Sequence, residues 1–148
     1  MEIWADGSCE TGRGVGGWGW HSSSGKSACG GDPFTTNNRM EMTAILQALI
    51  ELPKGTHVTV YSDSTYCVKG IVNWSHGWKK RNWRRDGVDI PNRDLWILID
   101  QQVKRLKVRM VWVKGHAGNE GNEKADKLAA MGRKYTLMSI ENESALPY

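Results

Sequence analysis

The sequence has no apolar run approaching the ~20 residues a membrane helix needs, so a helical membrane protein is not expected. Its first residues, Met1-Glu2-Ile3-Trp4-Ala5-Asp6, lack the basic region and apolar segment of a secretory signal. Cysteine is scarce: Cys9, Cys29 and Cys67 are odd in number and widely spaced. That pattern speaks against a disulfide frame, offers no zinc spacing, and suits reduced thiols in a cytoplasmic protein. Internal repeats and low-complexity tracts are also missing. So is a large excess of one charge, since the formal net charge is only +4.

What remains is an ordinary globular composition, 39% hydrophobic and 24% charged, in 148 residues. One domain over residues 1–148 is expected, with residues 132–148 as a tail of mixed character. Eight tryptophans are more than a core of this size can hold. The positive charge is concentrated: Lys79, Lys80, Arg81, Arg84 and Arg85 fall within seven residues that contain no acid.

Residues 35–52 predict a helix. Thr36 or Asn37 can cap it, and Pro53 and Gly55 end it. Ile45, Ala48, Leu49 and Leu52 form one apolar stripe, and Glu41 falls on that stripe. A buried carboxylate is costly unless paired with positive charge. Taken alone, Glu41 could instead reach water at the stripe's edge, or pair with Arg39 or a distant lysine.

Strands are predicted over 2–6, 15–22 and 26–32, the last two joined by a turn at 23–25. A β-branched strand follows at 57–62. Ser64 caps a helix reaching Val72, an amphipathic turn covers 74–80, and 81–92 reads as a basic loop. A helix at 94–106 leads to a strand at 107–114, which carries apolar residues on both faces and so reads as central in its sheet. A loop at 115–121 and a helix at 122–131 complete the order. The chain is therefore α/β, a mixed five-stranded sheet of three antiparallel strands plus parallel strands, flanked by helices.

Asp6 and Asp63 each end a strand, and parallel pairing would bring both to one sheet edge, where α/β folds place ligands. Glu41 comes from the early part of the helix before the Asp63 strand, and Asp126 from the final helix. Four converging acids would repel and titrate as a coupled set unless cations joined them. Carboxylates with little nitrogen or sulfur nearby suit Mg²⁺ or Mn²⁺ rather than zinc. Either aspartate alone could be an ordinary turn former beside Gly7 or Ser64. The two together with a buried glutamate favour a metal site.

Four blocks carry a resemblance in order: Asp6-Gly7-Ser8-Cys9, then Thr35-Thr36-Asn37-Asn38-Arg39-Met40-Glu41, then Ser62-Asp63-Ser64, then Val113-Lys114-Gly115-His116-Ala117-Gly118-Asn119 through Asp126. Together they resemble the bacterial form of the type 1 ribonuclease H family, from about Ile3 to about Ala130. The resemblance implies a ribonuclease H-like fold and hydrolysis of the RNA strand of RNA–DNA hybrids, leaving 3′-hydroxyl and 5′-phosphate ends. It implies two Mg²⁺ ions with the substrate, Mn²⁺ being an alternative, held by Asp6, Glu41, Asp63 and Asp126. His116 is similar to the family's mobile histidine, which assists water activation or product release. Read without the family, it is an exposed loop histidine.

The resemblance also implies how a hybrid is read. Ser8, Cys9, Asn37 and Asn38 match positions facing the minor groove, where the RNA strand presents its 2′-hydroxyls. Thr36 matches part of a DNA-phosphate pocket, Tyr66 and Trp78 an aromatic pair in the DNA channel, and 74–85 a basic protrusion. There Trp74 and Trp83 are expected to be partly structural, while the five cations bind phosphates. Trp4, Trp18, Trp20, Trp96 and Trp112 are assigned to packing. The chain departs from the bacterial pattern at Gly12 and Arg13, where Asn-Pro is frequent, and at Thr65, where glutamine is. Asp86 and Asp89 dilute the protrusion. A monomer acting on a hybrid is expected. A hybrid-binding module without cleavage, or a metal enzyme acting on DNA, are the competing readings; intact acids argue against the first, and Asn37-Asn38 with no additional domain against the second.

Overall fold

The structure, a computed structural model, describes residues 1–10 and 14–144. Gly12 and Arg13 lie outside the described residues. In chain order the elements are β1 Glu2–Cys9, β2 Gly16–Ser22, β3 Ser27–Asp32, α1 Asn37–Ile50, β4 His57–Ser62, α2 Thr65–Lys69, a π-turn Gly70–Trp74, α3 Ser75–Lys80, β5 Arg84–Arg85, β6 Val88–Asp89, α4 Arg93–Arg105, β7 Lys107–Trp112 and α5 Glu120–Ser144. The five-stranded sheet runs β3-β2-β1-β4-β7. β1, β2 and β3 pair antiparallel, while β4 pairs parallel with both β1 and β7. The mixed sheet expected from the order of elements is therefore the fold.

One strand is misplaced by the sequence pattern. β7 is an edge strand, not a central one. Its Val108 and Met110 are half-buried against the core, but Lys107 and Arg109 are exposed and Trp112 is 51% exposed. α5 packs chiefly across β1, β2 and β3. Trp112 shares the face of Val108 and Met110 but stands at the last register position of this edge strand, where it is not the packing residue expected. Trp20, Trp83 and Trp96 are buried, and Trp74 is 40% exposed.

β1 also outruns its predicted end. The antiparallel ladder with β2 carries it through Asp6↔Gly19 to Cys9↔Gly16, whereas parallel pairing with β4 stops at Trp4↔Tyr61. Asp6 thus sits within its strand, just beyond the last parallel pair. The predicted helix 122–131 instead runs to Ser144, through residues expected to be a tail. Its late turns need few apolar side chains because they lie on glycine. A Cβ on Gly19 would stand 2.5 Å from the Leu128 Cβ, and one on Gly17 or Gly31 would strike the backbone around Gly132.

α1 is buried more widely than one stripe, since Met40, Met42, Ala44 and Leu46 join Ile45, Ala48 and Leu49 between the sheet and α4. Residues 64–80 break into α2, the π-turn and α3 rather than one helix and a turn. Gly70 there packs on the ring of Trp96, leaving no room for a side chain. The basic loop folds into a small β5–β6 hairpin. No helix among the described residues is long and apolar enough to cross a membrane, and the three cysteines are free.

Candidate active site

The close approach of α1 to β1 creates the site. Gly7 has no side chain where a Cβ would strike the Glu41 backbone, so the helix lies directly on the strand and brings Glu41 beside Asp6. Asp63 follows β4 immediately. Ligand oxygens of Asp6, Glu41 and Asp63 lie within 4.8 Å of one another. Asp6 is 4% and Glu41 5% exposed. Asp126, on the second turn of α5, lines the same cavity of about 520 Å³, as do Ser8, Cys9, Asn37, Asn38, Tyr66 and His116.

The electrostatics show the cost of that convergence. Burial, then the charge of Asp63, pushes the Asp6 carboxyl from 3.8 up to about 7. Glu41 is held well above its ordinary 4.5 by burial and by the charges of Asp6 and Asp63. Asp63 is raised by burial and by Asp126, with His116 opposing. The backbone N–H of Gly7 donates to Asp6 Oδ1 at 2.9 Å. Glu41 Oε2 is buried with no hydrogen-bond partner, and an orphaned buried carboxylate oxygen is strongly unfavourable. Arg39 does not relieve it, because its guanidinium turns away to Asp94 at 2.7 Å. An all-oxygen donor set of this charge fits a hard divalent cation.

The RNase H family model matches residues 1–134. The chain belongs to the ribonuclease H family. It is 51% identical over 136 residues to Ribonuclease H of Methylobacillus flagellatus, covering 89% of this chain and 90% of that protein. It is 47% identical over 137 residues to Ribonuclease H of Hyphomonas neptunium, covering 89% and 91%. It also resembles the solved structure of LC9-RNase H1, a type 1 RNase H with the type 2 active-site motif. The TM-score is 0.78 at 31% identity, over 90% of this chain and 71% of that one.

The remaining predicted residues of this ribonuclease H chain divide by position. His116 lines the cavity from an exposed turn at φ 55°, a left-handed conformation unusual for a residue with a side chain. Thr36 is the α1 cap, its Oγ1 accepting from the Arg39 backbone N–H at 3.2 Å. It is exposed and is not one of the residues lining the cavity. Tyr66 and Trp78 are joined through Trp74 and Trp96, with ring centroids 5.3–6.2 Å apart around the group. In the basic segment Lys79 is held by Asp100 at 2.7 Å and Arg84 by Asp89 at 3.0 Å. Lys80, Arg81 and Arg85 stand exposed.

Sequence reasoning missed three groups. Ser64 and Thr65 line the cavity. Asn92 donates from Nδ2 to the Tyr66 hydroxyl at 3.0 Å, and its Oδ1 accepts from Arg39 at 3.4 Å. Trp112 donates from its indole to the Asp63 carbonyl at 3.1 Å. These partners lie between 26 and 53 positions apart, so no local pattern announces them.

Proposed function

We propose that this protein is an endonuclease that hydrolyses the RNA strand of RNA–DNA hybrids with two divalent cations, leaving 3′-hydroxyl and 5′-phosphate ends. The observation that carries the reading is the buried Asp6–Glu41–Asp63 cluster, with oxygens within 4.8 Å and one of them unpartnered, in a chain of net charge +4. Asp6, Glu41, Asp63 and Asp126 would hold the cations, with Mg²⁺ the expected metal. When bound, the ions supply activation of water on one side of the scissile phosphate and charge stabilisation on the other.

The chain's own groups do the rest. Asn37, Asn38, Ser8 and Cys9 line the wall where sugars and base edges of a duplex would lie, and their donors and acceptors suit the 2′-hydroxyl that only RNA carries. Tyr66, Trp74 and Trp78 offer ring surfaces to the DNA strand. Lys80, Arg81 and Arg85 neutralise its phosphates, with Lys79 and Arg84 engaged by acids of the protein itself. Thr36 stands at the α1 N-terminus, where backbone N–H groups favour a phosphate. His116, in its strained exposed turn, can move a proton at the water or at the departing product.

The test is cleavage of an end-labelled hybrid in Mg²⁺, compared with single-stranded RNA and duplex DNA, and repeated in excess chelator. Hybrid-specific products that vanish with chelator and in Asp63→Asn support the reading. Cleavage that persists in chelator, or tight hybrid binding without turnover in Mg²⁺ and Mn²⁺, overturns it.

A further inference from the structure

We infer that Trp112 is a positioning residue for the metal site, fixing the peptide plane from which the Asp63 carboxylate projects. The inference rests on the metal-dependent reading above. Its starting point is a residue that packing does not explain: a tryptophan on an edge strand, 51% exposed, paired in register with the residue before Asp63.

The parallel ladder between β4 and β7 ends at Ser62↔Trp112, with a last bond from the Val113 N–H to the Ser62 carbonyl at 3.0 Å. Beyond it the chain turns into α2, so the Asp63 carbonyl has no strand partner. The Trp112 indole supplies one at 3.1 Å. On the other side of the same peptide, the Ser64 N–H donates to Ser62 Oγ at 3.1 Å, and Ser64 Oγ accepts from the Cys67 N–H at 3.1 Å. Both ends of the Asp63–Ser64 peptide are therefore held by named bonds. Gly115 leaves the carboxylate its space, since a Cβ there would stand 2.8 Å from Asp63 Oδ2.

A metal ligand is useful only when its oxygen stays where the other ligands need it, and outer hydrogen bonds of this kind supply that order. Phenylalanine at 112 would cover similar surface but could not donate. The Asp63 carbonyl would turn to water, and the carboxylate would sample more orientations before a cation captured it. The cost appears in cation capture and disappears once cation is in excess.

The experiment compares wild type, Trp112→Phe and Tyr135→Phe, the last an exposed ring on α5 far from the site. Each is titrated with Mg²⁺. Two quantities are read: the rise in melting temperature without substrate, and the initial rate on a labelled hybrid. For Trp112→Phe the Mg²⁺ midpoint in both should rise about three- to tenfold, the size expected for one partly exposed hydrogen bond. KM for the hybrid should stay within twofold and the rate should recover in excess Mg²⁺. Tyr135→Phe should match wild type. An unchanged midpoint in Trp112→Phe overturns the positioning role and leaves the proposed function standing. A deficit equal at every Mg²⁺ concentration, with a lower metal-free melting temperature, overturns it too, in favour of a purely structural role. A wild type that shows no response to Mg²⁺ in either readout overturns the functional reading and this inference together.

Discussion

Replacing Asp6 by asparagine should make the metal-free protein more stable while destroying its activity. In the folded chain the Asp6 carboxyl sits at about 7 rather than 3.8, chiefly through burial and the charge of Asp63. Each pH unit is worth about 1.4 kcal/mol, so the full displacement amounts to about 4 kcal/mol. That is a ceiling, because asparagine is still buried at this 4% exposed position and still needs its bond from the Gly7 N–H. A gain of about 2 kcal/mol is expected at pH 8, equivalent to roughly 4–8 °C in melting temperature for a chain of this size.

The pH dependence separates the cost of the buried charge from causes that do not titrate. A carboxyl whose pKa is raised on folding binds protons more tightly in the native state, so its contribution to stability falls as pH rises from about 4 to about 7. The unfavourable contribution is complete above 7 and gone near 4. The advantage of Asp6→Asn should follow the same course, large at pH 8 and close to zero at pH 4. Urea denaturation of both proteins in chelator across that range measures it. Added Mg²⁺ should narrow the gap at pH 8 by stabilising wild type alone. An Asp6→Asn protein no more stable than wild type at pH 8, or one whose advantage is the same at pH 4, would refute the buried, crowded charge of Asp6 as the cost of the site.

Two further outcomes are expected. Gly19→Ala should cost about 1–3 kcal/mol in urea denaturation, because its Cβ would stand 2.5 Å from the Leu128 Cβ and 2.7 Å from the Ala129 nitrogen. Gly77→Ala in α3, with nothing within 4 Å, should instead gain about 0.5–1 kcal/mol; equal effects at both positions would mean that helix approach does not depend on the glycine face. Neutralising Lys80, Arg81 and Arg85 together should flatten the salt dependence of hybrid binding by up to ~0.9 for each phosphate no longer neutralised. Neutralising Lys79 and Arg84, each already paired with an aspartate, should change the slope much less.

The expectations drawn from the chain held where local chemistry decides. The α1 start at Thr36 or Asn37, the β4 strand, and the convergence of Asp6, Glu41 and Asp63 were all legible, and the structure makes Thr36 the cap. A cap, a β-branched run and the ends of parallel strands each leave a local mark. The failures came where a neighbour distant in sequence sets the outcome. Trp112 was assigned to packing, yet it stands at the last register position of β7, at the sheet edge, and is 51% exposed. Residues past Gly132 read as a tail of mixed character, yet a glycine surface on β2 and β3 accepts the helix they continue.

The same division runs through the site. The kinds of atom present, chiefly carboxylates, were determined by the chain alone, and with them the expectation of a hard cation. Only the tertiary structure decided that Glu41 would be left with an unpartnered buried oxygen, that Arg39 would turn to Asp94, and that the Trp112 indole would donate to the Asp63 carbonyl. A side chain's donor and acceptor groups are local properties of sequence. Which partner each meets depends on strand order and helix approach, which are settled only when the whole core packs.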